Sequence, residues 1–300
     1  MFIISGTTDF NIPEKTVVTI GKFDGIHNGH ITIIDRMRRY ISRGYKLCVM
    51  TFDMPPASLG FGSEKGTLMT NLEKRLVFAE LEVDYYIELP FYEKTASISA
   101  KQFIEEFIVD KMHAKAVVVG DDCSFGQGAK GNGQMLIDFG PIYDYEVEII
   151  RKIRIDDREL SSTYLRELAS RGAVSRIVDC AFRPYFITGK FRREPVNVGT
   201  GVQYYVLDVP EEKILPLDGV YYTKAVYDDA YYPAITNVRG EEHIVETYIF
   251  GGVRGIARGQ VSIAFLEFKR EELKYYKASD LNKMIKKDIF EAQKWHMEHP

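Results

Sequence analysis

Cysteine is scarce in this chain of 300 residues. Cys48, Cys123 and Cys180 are the only three, and none stands in a C-x-x-C pair, which excludes a disulfide framework and a structural zinc site. Net positive charge is lacking as well. Lys+Arg at 39 against Asp+Glu at 43 leaves −4, so no global basic field holds nucleic acid or an anionic membrane, and any phosphate binding has to be local. No apolar run approaches the roughly 18 residues of a membrane span, and the start MFIISGTTDFNIPEK has no basic segment before an apolar stretch of signal length. The expected location is the cytoplasm, with neither nucleic acid nor membrane as partner; no feature sets an oligomeric state. Internal repeats and low-complexity linkers are missing too. What is present, 45% hydrophobic and 27% charged residues, is the balance of a folded globular protein. The length exceeds the usual single core, which implies two domains.

The pattern along the chain changes once. VVTI, ending at Gly21, reads as a strand, and Ile31, Ile34, Met37 and Ile41 then recur at helical spacing. Strands at KLCVMTF, DYYIEL, AVVVG and YEVEIIRKI alternate with helices at NLEKRLVFAELE and KQFIEEFIVDKMH. Such alternation predicts a parallel sheet covered on both faces. SSTYLRELASRG and AVSRIVDCAF read as two short helices separated by Gly172. Beyond Phe186 aromatic and β-branched residues dominate in YYVLDV, GVYYTKAVY, YYPAITNV, IVETYIF and GQVSIAFLEF, short strands that predict an antiparallel barrel or sandwich. One helix, about Ser279 to Trp295, closes the chain. The domains expected are 1–184 and 185–300.

The chemistry concentrates in GKFDGIHNGH, Gly21 to His30, between an apolar strand and a helix start. Glycine lets the backbone pass close to a bound group, and a helix N-terminus presents free N–H donors at the positive end of its dipole. His27 and His30 add donors that can stabilise charge developing on a phosphorus under attack. No Gly-Lys-Ser/Thr follows the glycines and no G-x-G-x-x-G is present, so neither a Walker A loop nor a dinucleotide fingerprint is matched. By itself the segment also reads as a Gly-rich turn with two exposed histidines.

The strand, HxGH, helix arrangement resembles the nucleotidylyltransferase superfamily, and LSSTYLRELASRG, Leu160 to Gly172, resembles the SSTxxR signature of that superfamily, about 130 residues further on. Alone, a Ser-rich helix start is more often only a cap. GxFDGxHxGH, TFDMPP at Thr51 to Pro56, VVVGDDCSFGQGAKGNGQML at Val117 to Leu136, and SSTYLR together resemble the prokaryotic bifunctional FAD synthetases. In that family an N-terminal half adenylylates FMN and a C-terminal barrel phosphorylates riboflavin. The resemblance implies an α/β chain: a Rossmann-like nucleotidylyltransferase domain on a parallel sheet, then a riboflavin-kinase-like antiparallel β-barrel with a terminal helix.

Residue by residue, the resemblance implies His27 and His30 as the catalytic pair. Gly21, Phe23, Asp24, Gly25 and Gly29 would shape the ATP loop, Ser162, Thr163 and Arg166 would clamp phosphates, and Asp122 and Phe125 would face FMN. Phe125 reads equally as core beneath a loop. Met54 and Pro56 replace the proline and histidine of the family's TFDPHP, Cys123 replaces an aromatic, and Ala129 stands where arginine is common, with Lys130 beside it. Mg²⁺ is implied with ATP, FMN as substrate and FAD as product; no Mg²⁺ ligand is assigned.

In the second half PEEKILPLDGVYYT, Pro210 to Thr223, resembles the loop that follows the family's PTAN motif, whose threonine and asparagine help hold MgATP. Counting back places Gln203, Tyr204, Tyr205 and Val206 where P, T, A and N are expected. Glu246 matches the family's general base, although a lone strand glutamate is usually an exposed alternating residue. The barrel is therefore expected to have lost kinase activity. A shifted alignment would let Asn197 and Thr200, or Thr236 and Asn237, restore the contacts. The implied function is adenylyl transfer from ATP to FMN, releasing pyrophosphate. Its rivals are a bifunctional kinase and adenylyltransferase, nucleotidyl transfer to another phosphorylated acceptor, and a non-catalytic flavin or nucleotide sensor.

Overall fold

A computed structural model describes residues 1–53, 66–192, 196–197, 202–253, 255–256, 259–272 and 278–300. Met54, Pro55, Pro56 and Thr200 lie outside the described residues. The chain folds as two compact units, Met1–Ser162 and Thr163–Pro300. Both short helices predicted after Leu160 group almost wholly with the barrel, because Leu217 N–H donates to Ala169 O at 3.0 Å and Gly172 lies against Phe268 and Leu217.

In the first unit the strands are β1 (Phe2–Ser5), β2 (Thr16–Ile20), β3 (Lys46–Asp53), β4 (Tyr85–Pro90), β5 (Ala114–Gly120), β6 (Ser124–Phe125), β7 (Gly131–Asn132), β8 (Glu146–Ile150), β9 (Arg154–Ile155) and β10 (Arg158–Glu159). The helices are α1 (Asn28–Arg38), α2 (Asn71–Glu80), α3 (Glu93–Ala96), α4 (Ala100–Phe103) and α5 (Gly133–Tyr143). Six strands form one sheet in the order β1-β4-β3-β2-β5-β8, all parallel. Every residue of β2 is buried, which is why its sequence is nearly continuous in apolar residues. α1 returns the chain from β2 to β3 and buries Ile33, Ile34 and Met37, each worth about 1.5–3 kcal/mol relative to exposure. The predicted helix at 101–113 is α4 followed by a π-helical segment, Ile104–Lys111, whose Ile104, Phe107 and Ile108 are buried. β2, β3 and β4 run outward in succession on one side, with β1 added at that edge, and β5 and β8 run outward on the other. The strand order therefore reverses between β2 and β5, where open parallel sheets bind ligands at their carboxyl ends.

The second unit begins with α6 (Ser162–Ser170, its first residue still in the first unit) and α7 (Val174–Cys180). β11 (Tyr185–Phe191), β12 (Val196–Asn197), β13 (Gln203–Asp208), β14 (Gly219–Tyr227), β15 (Ala230–Arg239), β16 (Ile244–Ile249), β17 (Gln260–Glu271) and α8 (Ala278–Glu298) follow. The strands run β11-β17-β14-β15-β16-β13, and β13 pairs back onto β11 to close an antiparallel barrel of six; β12 adds to β13. Asp228 and Asp229 both take positive φ, 52° and 58°, the two-residue turn whose twist matches its flanking strands. Thr223, Thr236 and Thr247 link three strands through buried hydroxyls at 2.8 and 2.9 Å. Among the described residues no helix is long and apolar enough to cross a membrane.

Candidate active site

The loop Gly21–His30 leaves the carboxyl end of β2 at the point where strand order reverses. Its backbone is strained: Phe23 has φ 49° and Gly25 φ 70°. For a bulky residue that conformation costs on the order of 1 kcal/mol and persists only where the surroundings over-determine it. Here Phe23 is 2% exposed and meets His30 edge-on at 5.1 Å and Phe78 of α2 at 5.2 Å. Phe23 is thus the support beneath His30.

His27 is the N-cap of α1, in extended conformation. Its ring stacks on that of His30 with centroids 3.9 Å apart. Gly29 permits this, since a Cβ there would stand 3.0 Å from the His27 ring. The His27 N–H donates to His30 Nδ1 at 3.3 Å. With Nδ1 accepting, the neutral His30 ring carries its proton on Nε2 and presents a donor there. His27 Nδ1 is buried with no hydrogen-bond partner among the described residues, an unsatisfied group that a bound anion would satisfy. Burial pushes the His27 pKa down to about 4, opposed by the negative field of Asp122. Burial also holds His30 well below the usual histidine value, and His27 beside it adds to the effect. Both rings are therefore neutral donors in the free protein at neutral pH.

Asp24 lies in the loop and is bonded on both its side chain and its backbone. Its Oδ1 accepts from Thr67 Oγ1 at 2.8 Å, Leu68 N–H at 2.7 Å and Met69 N–H at 3.1 Å. Its backbone carbonyl accepts from Ser162 Oγ at 2.5 Å. Ser162 thus ties the first residue of α6 to the loop, while Thr163 and Arg166 continue that helix in the second unit.

Asp122 follows β5 across the reversal point and pairs with Lys152 Nζ at 3.4 Å; Lys152 also reaches Glu159 at 3.2 Å. Sequence reading passed over Lys152, since a lysine at a strand end carries no motif. Phe125 is 3% exposed, tilted on Phe103 at 5.4 Å, and its ring lies where a Gly131 Cβ would be. Phe125 belongs to the buried apolar cluster of the first unit. Among the described residues no three His, Cys, Asp or Glu side chains converge as a metal site. A Mg²⁺ ion at this loop would take most of its ligands from nucleotide phosphates.

In the barrel, a cavity of about 250 Å³ is lined in part by Tyr204, Asn237, Arg239, Glu246, Arg270 and Asp288. Glu246 pairs across strands with Val206 on one side and Asn237 on the other, and directly opposed residues share a face of the sheet. Tyr204 lies two residues from Val206 and so shares that face. Arg239 Nη2 holds Glu246 Oε1 at 3.2 Å.

Residues 9–164 match the FAD synthetase family, and residues 181–296 match the riboflavin kinase family. The chain is 25% identical over 304 residues to the bifunctional riboflavin kinase/FMN adenylyltransferase of Haemophilus influenzae, covering 98% of each. It is 28% identical over 304 residues to the protein of the same description from Bacillus subtilis, covering 93% of this chain and 92% of that one. A crystal structure described as a macrolide-efflux protein from Streptococcus pneumoniae superposes with a TM-score of 0.82 at 24% identity, over 98% of this chain and 99% of that one. That likeness shows a shared fold. With both halves matched in order along one chain, this protein belongs to the bifunctional riboflavin kinase/FMN adenylyltransferase family, the prokaryotic FAD synthetases.

Proposed function

We propose that this protein transfers AMP from ATP to FMN, giving FAD and pyrophosphate, and does not phosphorylate riboflavin. An FMN phosphate oxygen attacks the α-phosphorus of ATP; the new P–O bond forms as the bond to the bridging α–β oxygen breaks, and pyrophosphate leaves with that electron pair. No covalent enzyme intermediate is required, so the task is to align two anions and stabilise their developing charge. The His30 Nε2–H, the His27 ring and the N-terminal N–H groups of α1 supply donors for the nucleotide phosphates. Mg²⁺ bound to those phosphates would offset further charge. On α6, Thr163 and Arg166 are proposed to add donors to the same polyphosphate, Arg166 as a charge-assisted one.

The observation carrying the first half is the stacked, neutral His27–His30 pair at the strand-order reversal, with His27 Nδ1 lacking a partner among the described residues. For the second half it is the face of Glu246: counting back from Pro210 assigns Tyr204 and Val206 to the positions of the expected threonine and asparagine, and Val206, opposite Glu246, is 5% exposed. A valine offers no ligand to a metal and no donor to a phosphate. Asn237 on the same face, with Thr236 lining the cavity, favours the bifunctional alternative. The test is to supply ATP labelled at the α-phosphorus together with FMN. Label in FAD with unlabelled pyrophosphate is expected; label in any other product, or in none, would overturn the proposal.

A further inference from the structure

The loop that holds the histidines is fastened to a segment no motif contains. Thr67, Leu68 and Met69 all donate to the single oxygen Oδ1 of Asp24. Met69 fastens it a second time, its Sδ accepting from Ile26 N–H at 3.3 Å. The first attachment lies within the strained stretch, with Phe23 and Gly25 in the left-handed region on either side of Asp24, and the second directly follows it. Thr70 then caps α2 through its hydroxyl, at 3.2 Å from Glu73 N–H, and α2 carries the Phe78 that backs Phe23. Lys74 of the same helix is 7% exposed, and its ammonium lies in the field of Asp24, Glu88, Asp53 and Glu73, which opposes the lowering of its pKa by burial.

An aspartate in a polyphosphate loop invites a direct role at the ligand. Charge argues otherwise: at 4 Å and an effective dielectric of about 20, two like unit charges repel by about 4 kcal/mol. The oxygen is moreover already met by three donors.

We propose that Asp24 is a positioning residue, and that the clasp it forms with Thr67–Met69 holds the strained Phe23–Gly25 turn so that His30 and His27 stand in register for phosphate. The inference rests on the adenylyl-transfer reading for its kinetics but not for its geometry. A displacement of about 1 Å at a reacting centre costs on the order of 10²-fold in rate. The clasp therefore acts on kcat more than on ATP binding.

The test compares Asp24→Ala, Asp24→Asn, Thr67→Val and Met69→Leu in the full-length chain. Each is assayed for kcat and KM with ATP and FMN, and its histidine ring signals are followed by NMR without ligand. Asp24→Ala is expected to lower kcat roughly 10- to 100-fold with the KM for ATP within about threefold. Asp24→Asn keeps a carbonyl oxygen for the same donors and should recover kcat to within about fivefold. Thr67→Val and Met69→Leu should each lower it by about two- to fivefold. The ring signals of His27 and His30 should move in Asp24→Ala and stay in Asp24→Asn.

Asp24→Ala within threefold of the parent would overturn the proposal. So would Asp24→Asn as impaired as Asp24→Ala with a raised Mg²⁺ requirement, the mark of a direct contact. If Asp24→Ala does not fold, parental kcat and unmoved ring signals in both Thr67→Val and Met69→Leu overturn it instead. A parent protein that makes no FAD refutes the functional reading alone, because the ring signals still decide the clasp.

Discussion

The histidine loop and the barrel cavity are both polar sites on intact scaffolds, yet they are furnished differently. At the loop, His27 and His30 stand at the place a parallel sheet offers a ligand, with a buried ring nitrogen that has no partner among the described residues. In the barrel the six-stranded closure is complete, but Val206 faces Glu246 and Arg239 already engages its carboxylate. The difference teaches that a fold and its chemistry rest on separate residues. Barrel closure depends on strand register and apolar alternation, which many side chains satisfy; phosphate transfer depends on particular donors and metal ligands.

The largest expected effect lies on the loop. Replacing His30 with alanine should lower FAD formation roughly 10²- to 10³-fold with little change in melting temperature, because it removes a donor aimed at developing charge. A loss of tenfold or less in a steady-state assay would put the chemistry elsewhere and erase the contrast with the barrel.

Next comes the pH response of stability. His27 titrates at about 4 when folded and near 6.5 when unfolded. Between those values the unfolded chain binds more protons, so the neutral ring's contribution is complete above pH 6.5 and is lost as pH falls towards 4. Urea unfolding at pH 7 and pH 4.5 should show the parent losing roughly 2–3 kcal/mol more than His27→Gln, at 1.36 kcal/mol per pKa unit. Equal losses in the two proteins would mean that the ring is not desolvated.

Arg166→Ala should raise the KM for ATP about tenfold or more, since a hydrogen bond to a charged group contributes about 1.5–3 kcal/mol. An unchanged KM would remove Arg166 from the nucleotide site. The smallest effect belongs to the barrel: Glu246→Gln should leave FAD formation from FMN within about twofold, and a larger drop would show that the two sites are not independent.

Much of the fold is legible in the amino-acid sequence. Buried parallel strands such as β2 announce themselves by unbroken apolar runs, and the barrel by its aromatic and β-branched strands. β1 escaped notice because its four residues form an edge strand with none buried. α5 escaped because Gly133, Gly140 and Pro141 are poor helix formers; Gly140 is held there by Tyr145 O, which a Cβ would approach to 2.8 Å. The π-helical stretch carries the same apolar spacing as an α-helix, so only its backbone bonds tell them apart. At the site, the histidines and Ser162 were legible as motifs. The clasp was not, because Asp24 and its donors are 43 to 45 residues apart and an acid in a glycine-rich loop reads as a ligand group. Phe125 is ambiguous in sequence, reading as a flavin contact or as core, and it lies buried against Phe103.

The contrast between the two sites meets its most direct test in one incubation. Purified protein is given ATP and Mg²⁺ with either FMN or riboflavin, and the flavins are separated. FMN should be converted to FAD, while riboflavin should remain unchanged, because a general base alone contributes only about 10²- to 10⁴-fold and cannot replace the positioning of the γ-phosphate. ATP-dependent formation of FMN from riboflavin, abolished by Glu246→Gln, would contradict the account and make both halves of the chain catalytic.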